Sequence, residues 1–275
     1  MISPGAIQRR LRARFRQASR LPSLAPRQVF LELFSGSGNL SVAVRRKGLS
    51  VLSFDIKDGD DQDITHPVVL DTLEGWLRSG CVAGISFAAP CVSFSVARRG
   101  PWGSSWGPLR SRDYPHGIPG LGADDLDKIR TGDRCLRAAC RLLRAAISCQ
   151  VPAWFENPVG SLMWSAKPLA PLLTTADLVT LDFCQFGAPW RKRTRWASWN
   201  AAALDPIARR CVGHGGICSR SGSPHVVLQG YDSVRKCLRT QAAAAYPPAL
   251  CSQLAKIIGD TILNSRCARA YELIG

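Results

Sequence analysis

The sequence predicts an α/β fold built on a mainly parallel sheet, and three observations carry that expectation. From residue 28 the chain alternates strand, turn, helix and strand, the order that parallel neighbours need because crossover helices join them. Hydrophobic residues make up 46% of the 275 residues, enough for one large packed domain or one domain with a small insertion. Two later stretches repeat apolar residues at helical spacing: Leu136, Ala139, Cys140, Leu143 and Ile147, then Leu250, Leu254, Ile257, Ile258 and Ile262.

Each element has its own signal. Residues 1–27 read as a basic N-terminal tail, since the first 31 residues hold seven arginines and no acid. Ile7, Leu11 and Phe15 recur there at helical spacing among Arg9, Arg10, Arg12, Arg14 and Arg16, without the apolar stretch of a secretory signal. A transit peptide, a nuclear signal, a phosphate-gripping tail and a disordered tail with no specific task all fit. Residues 28–199 read as the core. Within it, 28–34 form an apolar strand, 35–39 a glycine-rich turn and 40–47 a helix that Gly48 is placed to stop. A second strand at 50–55 ends on an acid, a helix follows at 68–79, and 82–89 form a buried strand. The stretch 97–126, rich in Gly, Pro, Trp, Arg and Ser, is too long for an ordinary connection and reads as a functional loop. After the helix around 136–147 comes a strand at 151–155, and 180–187 lead into the basic cluster WRKRTR at 190–195. Residues 200–240 form a short polar region, and 241–275 hold a closing helix expected over 248–264.

Four stretches carry chemistry. In LELFSGSGNLS (31–41), Gly36 and Gly38 allow a tight turn and a close backbone approach to a ligand at the head of a helix. Ser41 stands where the dinucleotide-binding pattern has its third glycine, and Asp55 ends the next strand, where an acid can bind ribose hydroxyls. Nucleoside-cofactor binding is the reading; a plain strand–helix turn is the alternative. In APCVSFS (89–95), Pro90 fixes the backbone before Cys91 at the end of a strand, where residues face a ligand crevice. A thiolate there attacks electron-poor carbon, and Arg98 and Arg99 would lower the thiol pKa if they face it; read alone, the residue is more often a buried filler. In AWFENPVGSLMW (153–164), a strand delivers Glu156 and Asn157, an acid able to protonate or hold a ring nitrogen, or else one that caps a helix or pairs with arginine. In QFGAPWRKRTRWASW (185–199), Arg191, Lys192, Arg193 and Arg195 lie among Trp190, Trp196 and Trp199, a mix that suits phosphates and stacked bases, or a solvated basic edge.

The formal net charge of +16 argues for a polyanionic partner, most simply nucleic acid. Eleven cysteines without a disulfide framework fit a reducing, intracellular compartment, the nucleus if the source is eukaryotic, or an organelle. No apolar run reaches the roughly 18 residues of a membrane span, and a monomer is expected. Cys211, His214, Cys218 and His225 are spaced C-x2-H-x3-C-x6-H. They are ligand types for zinc in a small region without its own core, but the spacing matches no standard finger, so no metal is expected.

Taken together and in this order, the motifs resemble the DNA cytosine-5 methyltransferase family across roughly residues 28–264. FSGSG looks like its cofactor motif, APCVSFS like its Pro-Cys loop, ENPVGS like its Glu-Asn motif and RTR like its Arg-x-Arg motif. DQDI (61–64) resembles the stretch near adenine, and AYPPALCSQLAKII the closing helix. The resemblance implies a class I methyltransferase (Rossmann-like) α/β fold with helices on both faces, S-adenosylmethionine as donor, and DNA as partner. It implies that Phe34, Gly36, Gly38 and Pro90 line the donor, that Asp55 holds the ribose, and that Asp63 and Ile64 lie near adenine. Cys91 would be the nucleophile, Glu156 the acid at the ring nitrogen, Asn157 its companion, and Arg193 and Arg195 the residues that position the base or its phosphate. Residues 200–240 would be a short target-recognition region. The chain departs from the family at Pro158, where valine is usual, and at Trp190, where glutamine is usual, with one residue inserted before Arg193. An RNA cytosine-5 methyltransferase and a catalytically inactive nucleic-acid-binding protein are the rival readings.

Overall fold

The computed structural model describes residues 2–19, 28–95 and 107–272, with side chains to residue 264. Six strands form one sheet: β1 (Val29–Leu33), β2 (Val51–Phe54), β3 (Val82–Phe87), β4 (Ala153–Pro158), β5 (Asp177–Asp182) and β6 (Arg193–Trp199). Their order is β2-β1-β3-β4-β6-β5. The pairs β1–β2, β1–β3 and β3–β4 are parallel, whereas β6 runs antiparallel to both β4 and β5. The expected fold class is the observed one: mixed α/β on a mainly parallel sheet.

Helices cover both faces. Along β1, side chains alternate between two cores, with Val29, Leu31 and Leu33 entering one and Phe30 the other. The first core is closed by α1 (Pro4–Ala18), α3 (Pro67–Arg78) and α4 (Ala123–Ser148). The second is closed by α2 (Asn39–Arg45) and α6 (Pro248–Glu272). Burial on both faces is why β1 and β3 are apolar runs rather than alternating ones.

Three expectations change. Residues 4–18 are a docked helix rather than a free tail: Ile7 and Leu11 are 1% and 0% exposed, Phe15 packs at a tilt against Trp76 of α3, and Arg14 donates to Ser53 O at 2.6 Å. The long loop ends earlier than its composition suggested, because Asp124 and Asp125 occupy the first turn of α4, where acids complement the helix dipole. The tryptophans of the basic cluster are core, not base-stacking platforms: Trp190, Trp196 and Trp199 are all buried, and Trp196 packs beside Tyr246. Beyond β6 the chain is mostly irregular, with a hairpin of β7 (Tyr231–Asp232) and β8 (Cys237–Leu238) and a single helical turn, α5 (Arg239–Ala242), before α6.

Candidate active site

The connections of the sheet decide where a site forms. The chain leaves β1 toward β2 on one side and returns to β3 on the other, so the loops after β1 and β3 diverge and open a crevice at the strands' carboxyl ends. The two motifs singled out by sequence, the glycine-rich turn and the Pro-Cys loop, are these two loops.

After β1, Phe34, Gly36 and Gly38 have positive φ (59°, 52° and 69°). Such backbone is free for glycine and strained for phenylalanine. A Cβ on Gly36 or Gly38 would meet open space, so backbone conformation rather than crowding demands glycine. Asp55 accepts from the amides of Gly36 (2.8 Å) and Lys57 (3.1 Å), which fixes the turn and leaves each oxygen a lone pair for a ligand hydroxyl. Behind the turn, the Ser41 hydroxyl donates to buried Glu32, which ties the start of α2 to β1 and gives a reason for serine where the dinucleotide pattern has glycine. Burial lifts the Glu32 carboxyl to about 7, against the pull of the Ser41 bond. Asp63 accepts from the amide and hydroxyl of Thr65, both at 2.8 Å, and Ile64 is buried in the core.

After β3, the Pro90–Cys91 loop is held from three sides. Asn157 Nδ2 donates to Ala89 O (2.8 Å) across the strand ends. Ser95 bridges Ser161, and Leu162 N donates to Phe94 O at 2.9 Å. Arg110, 3% exposed, donates to Ser93 Oγ (3.1 Å), Ile129 O (2.9 Å) and Pro115 O (2.7 Å), pairs with Asp133 (2.8 Å) and lies 4.1 Å over the Phe94 ring. Sequence reasoning missed Arg110, since nothing local sets it apart from the other arginines. Gly132 of α4 lets the loop approach, because a Cβ there would lie 2.3 Å from Ser93 Oγ. Arg98 and Arg99 lie outside the described residues.

Glu156 ends β4 and is 5% exposed. Its Oε2 accepts from Tyr246 OH at 3.1 Å, while its Oε1 receives no hydrogen bond among the described residues and faces Lys192 Nζ at 3.9 Å. Tyr246, just ahead of α6, is a second residue the sequence reading did not single out; its buried hydroxyl is raised by burial and then by Glu156. Burial also pushes the Cys91 thiol above its ordinary value, Lys192 pulls it down and Glu156 pushes it up. Cys91, Glu156 and Lys192 therefore share one electrostatic site.

That corrects the expectation for the basic cluster. Neighbours along a strand face opposite sides, so Lys192 and Arg193 diverge at the start of β6. Lys192 takes the place beside Glu156, and Arg193 pairs through two nitrogens with fully buried Asp182 (2.9 and 3.2 Å). Arg195 sits opposite Asn157 with its guanidinium 5.4 Å over Trp164. It lines a cleft of about 970 Å³ beside the Cys91 loop, together with Phe94, Arg112, Arg137, Trp164 and Lys167.

The polar region also differs from expectation. Cys211, Cys218 and His225 come together, but His214 is exposed and takes no part; Cys184, in the turn after β5, completes the group. Cys184 was hidden because it lies 27 residues before Cys211, outside the region whose spacing looked like ligands.

Among solved structures, the chain is similar to a protein described as a DNA modification methyltransferase encoded within an E. coli prophage (14% identity, TM-score 0.38, 75% of this chain and 58% of that one). It is also similar to the Entamoeba histolytica methyltransferase EhMeth (13%, TM-score 0.33, 62% and 52%) and to the S. pombe Dnmt2 methyltransferase (14%, TM-score 0.29, 66% and 53%). The chain thus spans a little over half the length of these proteins. No family model and no curated protein matches it. Among the described residues, no helix is long and apolar enough to cross a membrane.

Proposed function

We propose that the protein methylates C5 of cytosine in DNA, with S-adenosylmethionine as donor. The observation that carries the reading is the meeting of Cys91 with buried Glu156, whose Oε1 lacks a hydrogen bond among the described residues, at adjacent ends of β3 and β4. An orphaned acceptor in a buried site is costly unless a ligand group completes it. The exocyclic amino group of cytosine is such a group, and N3 becomes one once it is protonated.

The donor site fits on this chain's own geometry. Two glycines border open space, and Asp55 keeps acceptor capacity for ribose hydroxyls. Phe34, Gly36, Gly38 and Asp55 would hold S-adenosylmethionine, which supplies an electrophilic methyl group when bound. The chemistry of the chain is then direct. The Cys91 thiolate bonds to C6 of cytosine, and the displaced electron pair moves to C5. Glu156 holds or protonates N3, which stabilises the charge that develops. Lys192 favours the thiolate that burial otherwise disfavours. C5 takes the methyl group; loss of the C5 proton then expels the Cys91 sulfur and restores the ring. Asn157 and Arg110 position the loop rather than touch the reacting atoms. To reach Cys91 the base must leave its stack, and the cationic cleft around Arg112, Arg137, Lys167 and Arg195 suits the phosphates that follow it.

The test is transfer of labelled methyl from S-adenosylmethionine to DNA, beside Cys91→Ser. We expect label in cytosine, and a covalent adduct with 5-fluorocytosine DNA that Cys91→Ser abolishes. Transfer to RNA alone would overturn the substrate class; absence of transfer to either nucleic acid would overturn the enzyme reading.

A further inference from the structure

The geometry points to a structural zinc ion held by Cys184, Cys211, Cys218 and His225, which fastens the polar region after β6 to the turn after β5. The four ligand atoms lie within 4.8 Å of one another, and Cys211 Sγ and His225 Nε2 are 3.7 Å apart. A tetrahedral site with Zn–S near 2.3 Å and Zn–N near 2.0 Å needs edges of about 3.5–3.8 Å, so a small contraction closes the shell. Three thiolates and one imidazole select zinc over hard cations. The protein fills all four positions, so the ion is structural and keeps no place for substrate.

The surroundings favour ligands over filler. Cys184, Cys211 and Cys218 are buried but belong to neither main core; they form a cluster made of themselves alone. A filler cysteine would instead be walled by apolar side chains. None of the three is in a disulfide. Donors aim at the sulfurs: Ser219 N and Oγ lie 3.4 and 3.5 Å from Cys211 Sγ, and Gln185 Nε2 lies 3.6 Å from Cys184 Sγ and 3.9 Å from Cys218 Sγ. Such outer hydrogen bonds orient and stabilise thiolate ligands.

The backbone is shaped to present them. An Ile217–Pro224 bridge, Cys218 N→Ser223 O (2.9 Å) and His225 N→Gly216 O (2.8 Å) fold residues 216–225 into a tight loop that brings Cys218 and His225 to one side. Gly213 is required between the cysteines, since a Cβ there would stand 1.9 Å from Ile217 O. Outside the cysteines, the only buried hydrophobics from Ala201 to Ser233 are Leu204 and Ile207, too few to hold so irregular a segment. The site also backs onto the basic strand. Asp182 accepts from Cys211 N (2.9 Å) on one side and from Arg193 on the other. The ion would therefore steady Arg193 as well as the loops.

Elemental analysis of the full chain, purified under reducing conditions without chelator, tests this independently of methyl transfer. We expect about one zinc per chain, lost in Cys211→Ser and Cys218→Ser and kept in His214→Ala. If the cysteine variants precipitate, cobalt(II) added to metal-stripped wild type should give the thiolate charge-transfer and tetrahedral d–d bands, and chelator should lower the melting temperature. Wild type that holds no zinc, takes up no tetrahedral cobalt and melts unchanged with chelator would overturn the inference. So would a disulfide among the three cysteines, or loss of the metal in His214→Ala with retention in Cys184→Ser.

Discussion

Replacing Glu32 by glutamine keeps the shape of the side chain and removes its charge, and the structure sets the size of the effect. Glu32 is 3% exposed, and burial lifts its carboxyl from 4.5 to about 7. Below pH 4.5 the group is protonated in both folded and unfolded chains and contributes no difference. From there to about 7 only the unfolded chain ionises, so the folded protein loses stability as pH rises. At roughly 1.36 kcal/mol per pH unit the loss comes to about 3 kcal/mol and is complete once the folded group ionises. Glutamine suffers no such loss and still accepts from Ser41. Urea unfolding followed by tryptophan fluorescence, in steps from about pH 5 to about pH 8, reads the difference. We expect the two proteins to be close at the acid end, with Glu32→Gln ahead by up to about 3 kcal/mol at the alkaline end. Parallel curves would refute the reasoning, since a pH-independent gap cannot come from a buried proton.

Two further outcomes test the site. The pH profile of iodoacetamide labelling at Cys91, followed by mass spectrometry, should move to higher pH in Lys192→Ala and to lower pH in Glu156→Gln, because the cation lowers the thiol and the carboxylate raises it; unmoved profiles would mean neither group acts on the sulfur. Gly132→Ala should lower the melting temperature even though alanine favours helix by about 1 kcal/mol, and adding Ser93→Ala should restore part of the loss by removing the atom 2.3 Å from the new Cβ; a more stable single variant would show that the loop does not rest on α4.

Much of this arrangement was legible in the sequence because it depends on local patterns. The strand–turn–helix at Gly36 and Gly38 and the strand ends at Cys91 and Glu156 are written in apolar runs punctuated by Gly, Pro and polar residues. What stayed hidden depends on distance along the chain. Tyr246 meets Glu156 across 90 positions, and Cys184 meets Cys218 across 34; no window of sequence contains either pair. The basic cluster misled for another reason. Its charges were visible, but which of them lies near Glu156 is set by the fold, which brings Lys192 Nζ to 3.9 Å and pairs Arg193 with Asp182. Its tryptophans suit base stacking in the sequence and yet pack in the core, because aromatic residues beside arginines look the same in sequence whether they face solvent or a core.

The docked N-terminal helix sets a race. A carrier that reads an arginine-flanked apolar stripe has to grip the same face that Ile7 and Leu11 bury against the protein, a face worth about 4 kcal/mol in the folded state. Such a carrier binds the chain readily before it folds and poorly afterwards. A reader of charge alone meets no such barrier, because Arg9, Arg10 and Arg12 stay on the outside of the folded helix. On the folded protein only the charged side of this segment is on offer to a partner, whereas its apolar stripe is exposed only in the unfolded chain.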